Sequence, residues 1–241
     1  MINRSGMIQK TIVEYNNELS RIYDEVTSPD GSWTAPSECF RLIRPHLNGD
    51  MTVLDLGIGT GLVSTKIAEY GCKLIGIDAA PEMLSQARRK LPSALLLCAN
   101  IEEPWPLSKH THIDMIVAVG VLEFVPSLAK VFITSGKHLK LGGLICFTYE
   151  ELLPNSPLQR LRRSPRGALL YKKVPRRLSF PVFRQTFVEV KQELELAHFT
   201  ILHHHKFVAY HLRRSSDNCV FDVTYRIVLA QRVGPSNDRE V

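Results

Sequence analysis

Three closely spaced glycines and two aspartates near them are the residues of this sequence best suited to chemistry. Residues 53–61 read VLDLGIGTG, an apolar run that ends in glycines at alternate positions. Glycine has no Cβ, so such a loop lets the backbone approach a ligand, and a helix that begins after the loop offers free N–H groups. The order strand, glycine-rich turn, helix is therefore typical of a nucleotide site at the carboxyl end of a strand.

The glycine spacing departs from the fingerprint of dinucleotide-binding proteins. That fingerprint is GxGxxG, and Leu62 stands where its last glycine would be. The tighter GxGxG form suits a nucleoside that carries an amino acid, since no pyrophosphate has to be held. A nicotinamide-dependent oxidoreductase is the rival from another class, disfavoured by Leu62 and by the lack of an evident Tyr-x-x-x-Lys pair.

Asp78 is the second candidate, 21 residues after Gly57 and at the end of the next apolar run. A carboxylate at this place can accept hydrogen bonds from both hydroxyls of a ribose. Asp78 could also cap a helix that begins near Pro81, and the two roles are compatible.

The histidines and cysteines indicate no metal site. On a strand, alternate residues face opposite sides, so at most His203 and His205 of the His203–His205 run share a face, and no third ligand is placed with them. The five cysteines are scattered without CxxC spacing, which favours reduced thiols over a disulfide framework.

The apolar pattern alternates between short runs and amphipathic stretches. It predicts strands at residues 52–56, 73–77, 95–98, 114–119 and 144–149, helices at 62–70, 81–90 and 128–139, and a turn at 141–143. Further helices are predicted at 7–27, 36–46 and 180–197, and strands at 200–212 and 219–231 form a hairpin. We therefore predict an α/β fold with a seven-stranded, mostly parallel sheet and an antiparallel C-terminal hairpin. Residues 1–48 are predicted to form a helical cap, and residues 49–241 the main domain with a basic lid insertion at about 150–180.

Several ordered motifs over about 100 residues resemble the class I, Rossmann-like S-adenosylmethionine-dependent methyltransferases. The glycine motif matches VLDxGxGTG, residues 81–84 resemble the helix that follows the ribose acid, residues 113–126 resemble the fourth strand with its VLEHV turn, and residues 141–144 resemble the LkpGG turn. Tyr23, Asp24, Trp33 and Pro36 are similar to the N-terminal pattern of small-molecule methyltransferases. The resemblance implies that the chain is an enzyme and that its cofactor is S-adenosyl-L-methionine.

The resemblance also implies a set of cofactor-binding residues. The backbone of the glycine loop would meet the methionine part, one aspartate would organise the ammonium side and the other would bind ribose, and the remaining residues would flank adenine or the sulfonium. These residues are Trp33, Asp55, Gly57, Ile58, Gly59, Asp78, Ala79, Met83, Asn100, Ile101, Val119 and Gly120. Asn100 stands where the family has an acid, and an amide oxygen can accept the same hydrogen bond.

No motif of this sequence identifies the catalytic residues. The histidine of the VLEHV turn is Phe124 here, and Glu123 beside it is interpreted as a structural residue. Tyr171, Tyr210 and His211 could lie near the acceptor, because late elements of the family reach that region.

The methyl acceptor is predicted to be a small molecule, and a natural-product intermediate or an anionic compound would fit. Eight of residues 159–177 are arginine or lysine and none is acidic. This segment could be a solvated lid, a recognition element for an anionic acceptor, or a contact for nucleic acid, and the last is disfavoured because no RNA-binding module is present.

Other functions stay open as alternatives. One alternative is a protein or RNA methyltransferase, and the other is a non-catalytic accessory protein that only binds the cofactor. Methylation of amino groups on bases is disfavoured, because residues 119–122 read VGVL in place of an NPPY-like motif. No apolar run reaches the roughly 18 residues of a membrane span, and residues 1–15 have no apolar signal core, so a cytoplasmic location without membrane attachment is expected. The oligomeric state is left open.

Overall fold

The structure is a computed structural model that describes residues 4–27, 33–108, 110–153, 155–156, 159, 182–213 and 218–234. Its helices are α1 (Arg4–Leu19), α2 (Tyr23–Thr27), α3 (Ala35–Ile43), α4 (Leu62–Ala68), α5 (Pro81–Lys90), α6 (Leu128–His138) and α7 (Phe187–Leu196), with short 3-10 turns at Arg44–His46 and Leu122–Phe124. Its strands are β1 (Thr52–Leu56), β2 (Lys73–Asp78), β3 (Leu95–Cys98), β4 (Ile113–Ala118), β5 (Leu139–Glu150), β6 (Phe199–Arg213) and β7 (Val220–Arg232).

The seven strands form one sheet in the order β3-β2-β1-β4-β5-β7-β6. The first five strands pair in parallel, whereas β7 pairs antiparallel with both β5 and β6. The predicted seven-stranded sheet with an antiparallel C-terminal hairpin is therefore confirmed. Strand order reverses at β1, which has β2 on one side and β4 on the other, and this makes the carboxyl ends of β1 and β4 the topological switch point.

A hydrophobic core lies on each face of the sheet. Because successive side chains of a strand face opposite sides, Val53 of β1 packs with α3, α4 and α5, while its neighbour Leu54 belongs to the core that α6 and α7 cover. Burial on both faces explains why the parallel strands are near-continuous apolar runs in the sequence.

Three predicted boundaries are wrong. The turn predicted at 141–143 lies inside β5, because the backbone continues as strand through Gly142 (φ +77°) while the register with β4 shifts. The helix predicted from residue 180 begins only at Phe187, where Thr186 and Glu189 form a reciprocal capping box. The helix predicted at 7–27 is interrupted after Leu19, where the Ser20 hydroxyl donates to the carbonyl of Asn17 at 2.8 Å and competes with the helix.

The N-terminal helices contribute to two different parts of the molecule. Tyr15 and Leu19 of α1 pack against Met83 at the start of α5, whereas Cys39 and Ile43 of α3 are fully buried in a core of the sheet. The predicted domain boundary at residue 48 stays a prediction. Of the predicted insertion at 150–180, the structure describes residues 150–153, 155, 156 and 159, so the eight basic residues lie outside the described part.

Each helix in the described part of the chain is too short or too polar to cross a membrane.

Candidate functional site

The glycine loop begins where β1 ends, at the switch point of the sheet. The amides of Gly57 and Ile58 donate to the carbonyl of Ile77 at 2.7 and 3.1 Å, so the end of β2 holds the loop in place. Gly57 has φ +68°, and a Cβ there would stand 2.5 Å from a methyl carbon of Val121 in the loop after β4. Both the conformation and the close approach require glycine.

A cleft opens above this loop, between the carboxyl ends of the parallel strands and helices α1 and α2. Together with the solvent at its mouth, the cleft encloses about 990 Å³. All twelve residues predicted to bind cofactor line it: Trp33, Asp55, Gly57, Ile58, Gly59, Asp78, Ala79, Met83, Asn100, Ile101, Val119 and Gly120. The structure thus brings the predicted set together, and the role of each residue toward a ligand stays a prediction.

Asp78 holds two loops at the end of β2. Its two carboxylate oxygens accept backbone N–H groups from Gly59 and Ala80, each at 2.8 Å. Burial raises the pKa of Asp78, although these hydrogen bonds oppose the shift. A carboxylate offers about four acceptor positions, so acceptor capacity remains for the hydroxyls of a ligand in the cleft.

Asp55 has a structural hydrogen bond inside the cleft wall. It is 4% exposed, and its Oδ2 accepts the hydroxyl of Ser64 in the first turn of α4 at 2.7 Å. Burial raises the pKa of Asp55 to about 7, with a further increase from the charge of Asp78. The bond fixes the start of α4 relative to β1, which shapes the loop between them.

Asn100 and Ile101 form the opposite end of the cleft, after β3. The side-chain oxygen of Asn100 accepts the amide of Glu102 at 3.0 Å, and the carbonyl of Ile101 accepts the indole N–H of Trp105 at 3.0 Å. These bonds order the loop so that both residues face the cavity.

The attachment of α2 to the glycine loop was not predicted from the sequence. Asp24 accepts the hydroxyl of Thr60 at 2.6 Å and pairs with Lys90 at the end of α5. The similarity of Tyr23 and Asp24 to the N-terminal pattern of small-molecule methyltransferases was the available signal, but it did not identify these partners. The two contacts hold the short helix over the cleft.

A second cavity adjoins the first and encloses about 460 Å³ together with the solvent at its mouth. Both are lined by Asn16, Tyr23, Trp33, Gly120 and Phe124, and the second is also lined by Tyr15, Leu19, Thr27, Glu123, Tyr210 and Tyr225. The Trp33 ring lies 5.7 Å from Tyr210 and 5.4 Å from Tyr225, between centroids. Tyr210, one of three residues suggested from the sequence to lie near the acceptor, lines this cavity. His211 is exposed and pairs with Asp222. Tyr171 lies outside the described residues.

Glu123 is a buried carboxylate in the wall of the second cavity. It is 3% exposed, and its Oε1 accepts the hydroxyl of Tyr225 at 2.7 Å. Burial raises the pKa of Glu123 to about 7, although the hydrogen bond from Tyr225 opposes the shift. The structural role interpreted from the sequence is present, since this bond joins β7 to the turn after β4.

The histidine run lies away from both cavities. His203 and His205 share a face of β6, with 3.1 Å between ring nitrogens, and His205 contacts Glu38. His204 faces the other side, against Phe187 and Arg226. Within the described residues, no three histidine, cysteine, aspartate or glutamate side chains are grouped to hold a metal ion.

Known proteins resemble this chain in sequence and in fold. The model of a family described as "Methyltransferase domain" matches residues 54–147. The chain is 30% identical to the trans-aconitate 2-methyltransferase of Azoarcus sp. over 52% of this chain and 49% of that protein. It is also 30% identical to the ubiquinone biosynthesis O-methyltransferase of Nitrosococcus oceani, over 67% of this chain and 71% of that protein. A solved S-adenosylmethionine-dependent methyltransferase of Methanosarcina mazei has the same fold, with a TM-score of 0.65 at 20% identity over 80% of this chain and 98% of that one. The matched region spans about half the length of the first of these relatives.

Proposed function

Because this chain belongs to the class I S-adenosylmethionine-dependent methyltransferases, we propose that it transfers a methyl group from S-adenosylmethionine to a small-molecule acceptor. The family membership concerns the cofactor and the type of reaction. The acceptor and the site residues are part of the proposal.

The charge of the cleft is the observation that carries the proposal. Its described lining includes the carboxylates Asp55 and Asp78 and no lysine, arginine or histidine. S-adenosylmethionine bears a sulfonium and an ammonium group, which such a lining attracts, whereas the two negative charges of a pyrophosphate would be repelled. The lining therefore supports S-adenosylmethionine over a nicotinamide dinucleotide.

The geometry of the loop fits the same ligand. A Cβ on Gly59 would have no atom closer than 3.9 Å, so the loop leaves open space beside its backbone. Asp78 lies at the end of the neighbouring strand with acceptor capacity for two hydroxyls. An adenosine whose ribose reaches Asp78 would extend toward Asn100 on one side and toward the glycine loop on the other.

The chain's own residues would mainly position the reactants. When bound, S-adenosylmethionine supplies a methyl group already activated by the positive charge on sulfur. Asp78 would hold the ribose, the backbone of the glycine loop would hold the amino-acid end, and Gly120 would set the reactive end beside the second cavity. Helices α1 and α2 would exclude water from this end, because Asp24 fastens α2 to the loop.

The acceptor is proposed to be a small molecule that occupies the second cavity. Its lining is mainly apolar and aromatic, as is usual for small-molecule sites. An anionic acceptor remains the alternative that the basic residues of 159–177 suggest, and those residues lie outside the described part of the chain.

Calorimetric titration with S-adenosylhomocysteine, S-adenosylmethionine and NAD tests the proposed donor. We expect the first two to bind and NAD not to bind. Asp78→Ala should weaken binding of S-adenosylhomocysteine by roughly 10- to 100-fold, the effect of losing hydrogen bonds to a charged group. Asp50→Ala, at an exposed aspartate before β1, is the matched control and should bind like the parent protein. Binding of NAD alone, or unchanged binding by Asp78→Ala, would contradict the proposal.

A further inference from the structure

We propose that Glu123 is the proton acceptor for the methyl acceptor, and that the second cavity takes a flat, uncharged molecule through a hydroxyl group. This inference rests on the proposed function and deepens it. It concerns the second cavity, which neither the glycine loop nor Asp78 lines.

The hydrogen bonding of Glu123 is incomplete. Its Oε1 accepts Tyr225, but its Oε2 is buried without a hydrogen-bond partner among the described residues. A buried carboxylate oxygen left in this state is costly, and such groups in native proteins call for an explanation. A hydroxyl group of a molecule in the cavity that Glu123 lines would supply the missing donor.

The position of Glu123 connects it to the reaction. Gly120, three residues earlier in the same loop, lines both cavities, and a Cβ on Gly120 would stand 2.7 Å from the indole of Trp33. The backbone and the indole are thus in direct contact at the junction of the two cavities. A molecule in the second cavity would meet the reactive end of the donor at this junction.

The remaining lining indicates the kind of molecule. The rings of Tyr15, Tyr23, Trp33, Phe124, Tyr210 and Tyr225 line the cavity, and flat molecules pack well against such rings. Glu123 is the one ionisable group in the described lining besides the tyrosines. An anionic acceptor would face this carboxylate without a described cation to balance it, so the lining favours an uncharged acceptor.

Burial and the groups around Glu123 together set the pKa of this carboxyl group. Glu150 on β5 raises its proton affinity, while Arg184, which pairs with Glu150 at 2.7 Å, and Tyr225 on β7 lower it. Tyr210 on β6 lies 6.2 Å from Tyr225 between ring centroids. Burial outweighs the opposing contacts, and Glu123 therefore titrates in the range where a base can act.

The transfer step balances without another reactant. The acceptor oxygen forms a bond to the methyl carbon while the bond from that carbon to sulfur breaks and its electron pair stays on sulfur. The proton of the acceptor hydroxyl passes to Oε2 of Glu123. The positive charge of the sulfonium and the negative charge of the carboxylate are both removed, and water later takes the proton.

A matched pair of probes tests the proposal. 4-Methylcatechol and protocatechuate share a catechol ring and differ in a methyl group against a carboxylate. We expect 4-methylcatechol to bind the protein loaded with S-adenosylhomocysteine about tenfold or more tightly than protocatechuate does. In Glu123→Gln, which keeps the shape and an acceptor for Tyr225, this preference should fall to about twofold or less.

Turnover of 4-methylcatechol with labelled S-adenosylmethionine gives the second readout. In the parent protein kcat/KM should rise with pH through an apparent pKa near 7. In Glu123→Gln the rate should be about 100-fold lower and this rise with pH should be absent. Tyr225→Phe, which removes the hydrogen bond to Oε1, should move the rise to higher pH. Glu69→Gln, at an exposed glutamate after α4, is the control and should keep both rate and profile.

The outcomes separate this inference from the proposed function. Equal or tighter binding of protocatechuate, or a Glu123→Gln protein with the parent's rate and pH profile, would overturn it. Binding of S-adenosylhomocysteine is expected to stay within about twofold in Glu123→Gln. If the parent protein did not bind S-adenosylhomocysteine at all, the proposed donor site would be refuted instead.

Discussion

At the scale of single residues, the proposed site contains three carboxylates that folding has largely removed from water. Asp55 and Glu123 are buried and Asp78 is half-buried, and loss of solvent raises the pKa of each. A buried carboxylate costs free energy when it ionises, so the native state is less stable than one with neutral residues there. The proposed function would explain why this cost is retained, since a ligand with a sulfonium and hydroxyl groups would interact with these carboxylates.

The raised pKa of Glu123 predicts a pH dependence of stability. The folded state holds the proton more tightly than the unfolded chain, whose glutamate titrates near 4.5. The stabilisation that comes from protonated Glu123 is therefore fully present below pH 4.5, falls as pH rises, and is lost above about 7. Glu123→Gln should reduce the fall in free energy of unfolding between pH 5 and 8 by roughly 1–3 kcal/mol, as measured by urea denaturation.

The control for this prediction is Glu69→Gln, which changes an exposed glutamate with the same chemistry. Its pH dependence should match that of the parent protein. If Glu123→Gln and the parent lose stability in parallel from pH 5 to 8, Glu123 does not titrate in the way described.

At the scale of elements, local chemistry explains what the sequence could predict. The glycine loop, the strands around it and Asp78 follow one another closely, so their relation is set by short-range backbone geometry. The second cavity could not be predicted in this way. Its walls come from α1, α2, the turn after β4, and the C-terminal strands, and Glu123 receives its hydrogen bond from Tyr225, about 100 residues later in the chain. The twin glycines at 142 and 143 misled because a bulged strand and a turn use the same residues.

We expect the contact between α2 and the glycine loop to keep the cleft covered and to strengthen ligand binding. Asp24→Ala removes the hydrogen bond from Thr60 and the pair with Lys90. Affinity for S-adenosylhomocysteine should fall about 3- to 10-fold, the range of one or two partly exposed hydrogen bonds. Backbone amides of α1 and α2 should also exchange hydrogen faster.

Glu25→Ala is the matched control, since Glu25 is exposed and adjacent on the same short helix. It should leave affinity and exchange unchanged. Equal effects of the two substitutions would mean that the helix, and not the contact with Thr60, is responsible.

At the scale of the whole molecule, the sheet brings these residues together at the carboxyl end of its parallel strands. Four parallel strands, β1 to β4, place their carboxyl ends at the cleft, and the antiparallel pair β6 and β7 extends the sheet to supply Tyr210 and Tyr225 beside it. The proposed donor side would thus be built from the parallel part of the sheet, and much of the proposed acceptor side from the hairpin. This division agrees with a family in which one donor serves many acceptors, because the two sides can change separately.

The most direct test of the central claim is a crystal structure of the protein with S-adenosylhomocysteine. We predict that the ligand lies in the cleft with its ribose hydroxyls at hydrogen-bond distance from Asp78, about 2.6–3.2 Å, and its amino-acid end along the glycine loop. Its sulfur should face the second cavity beside Gly120. A ligand bound elsewhere, or in the cleft with its ribose away from Asp78, would contradict the account.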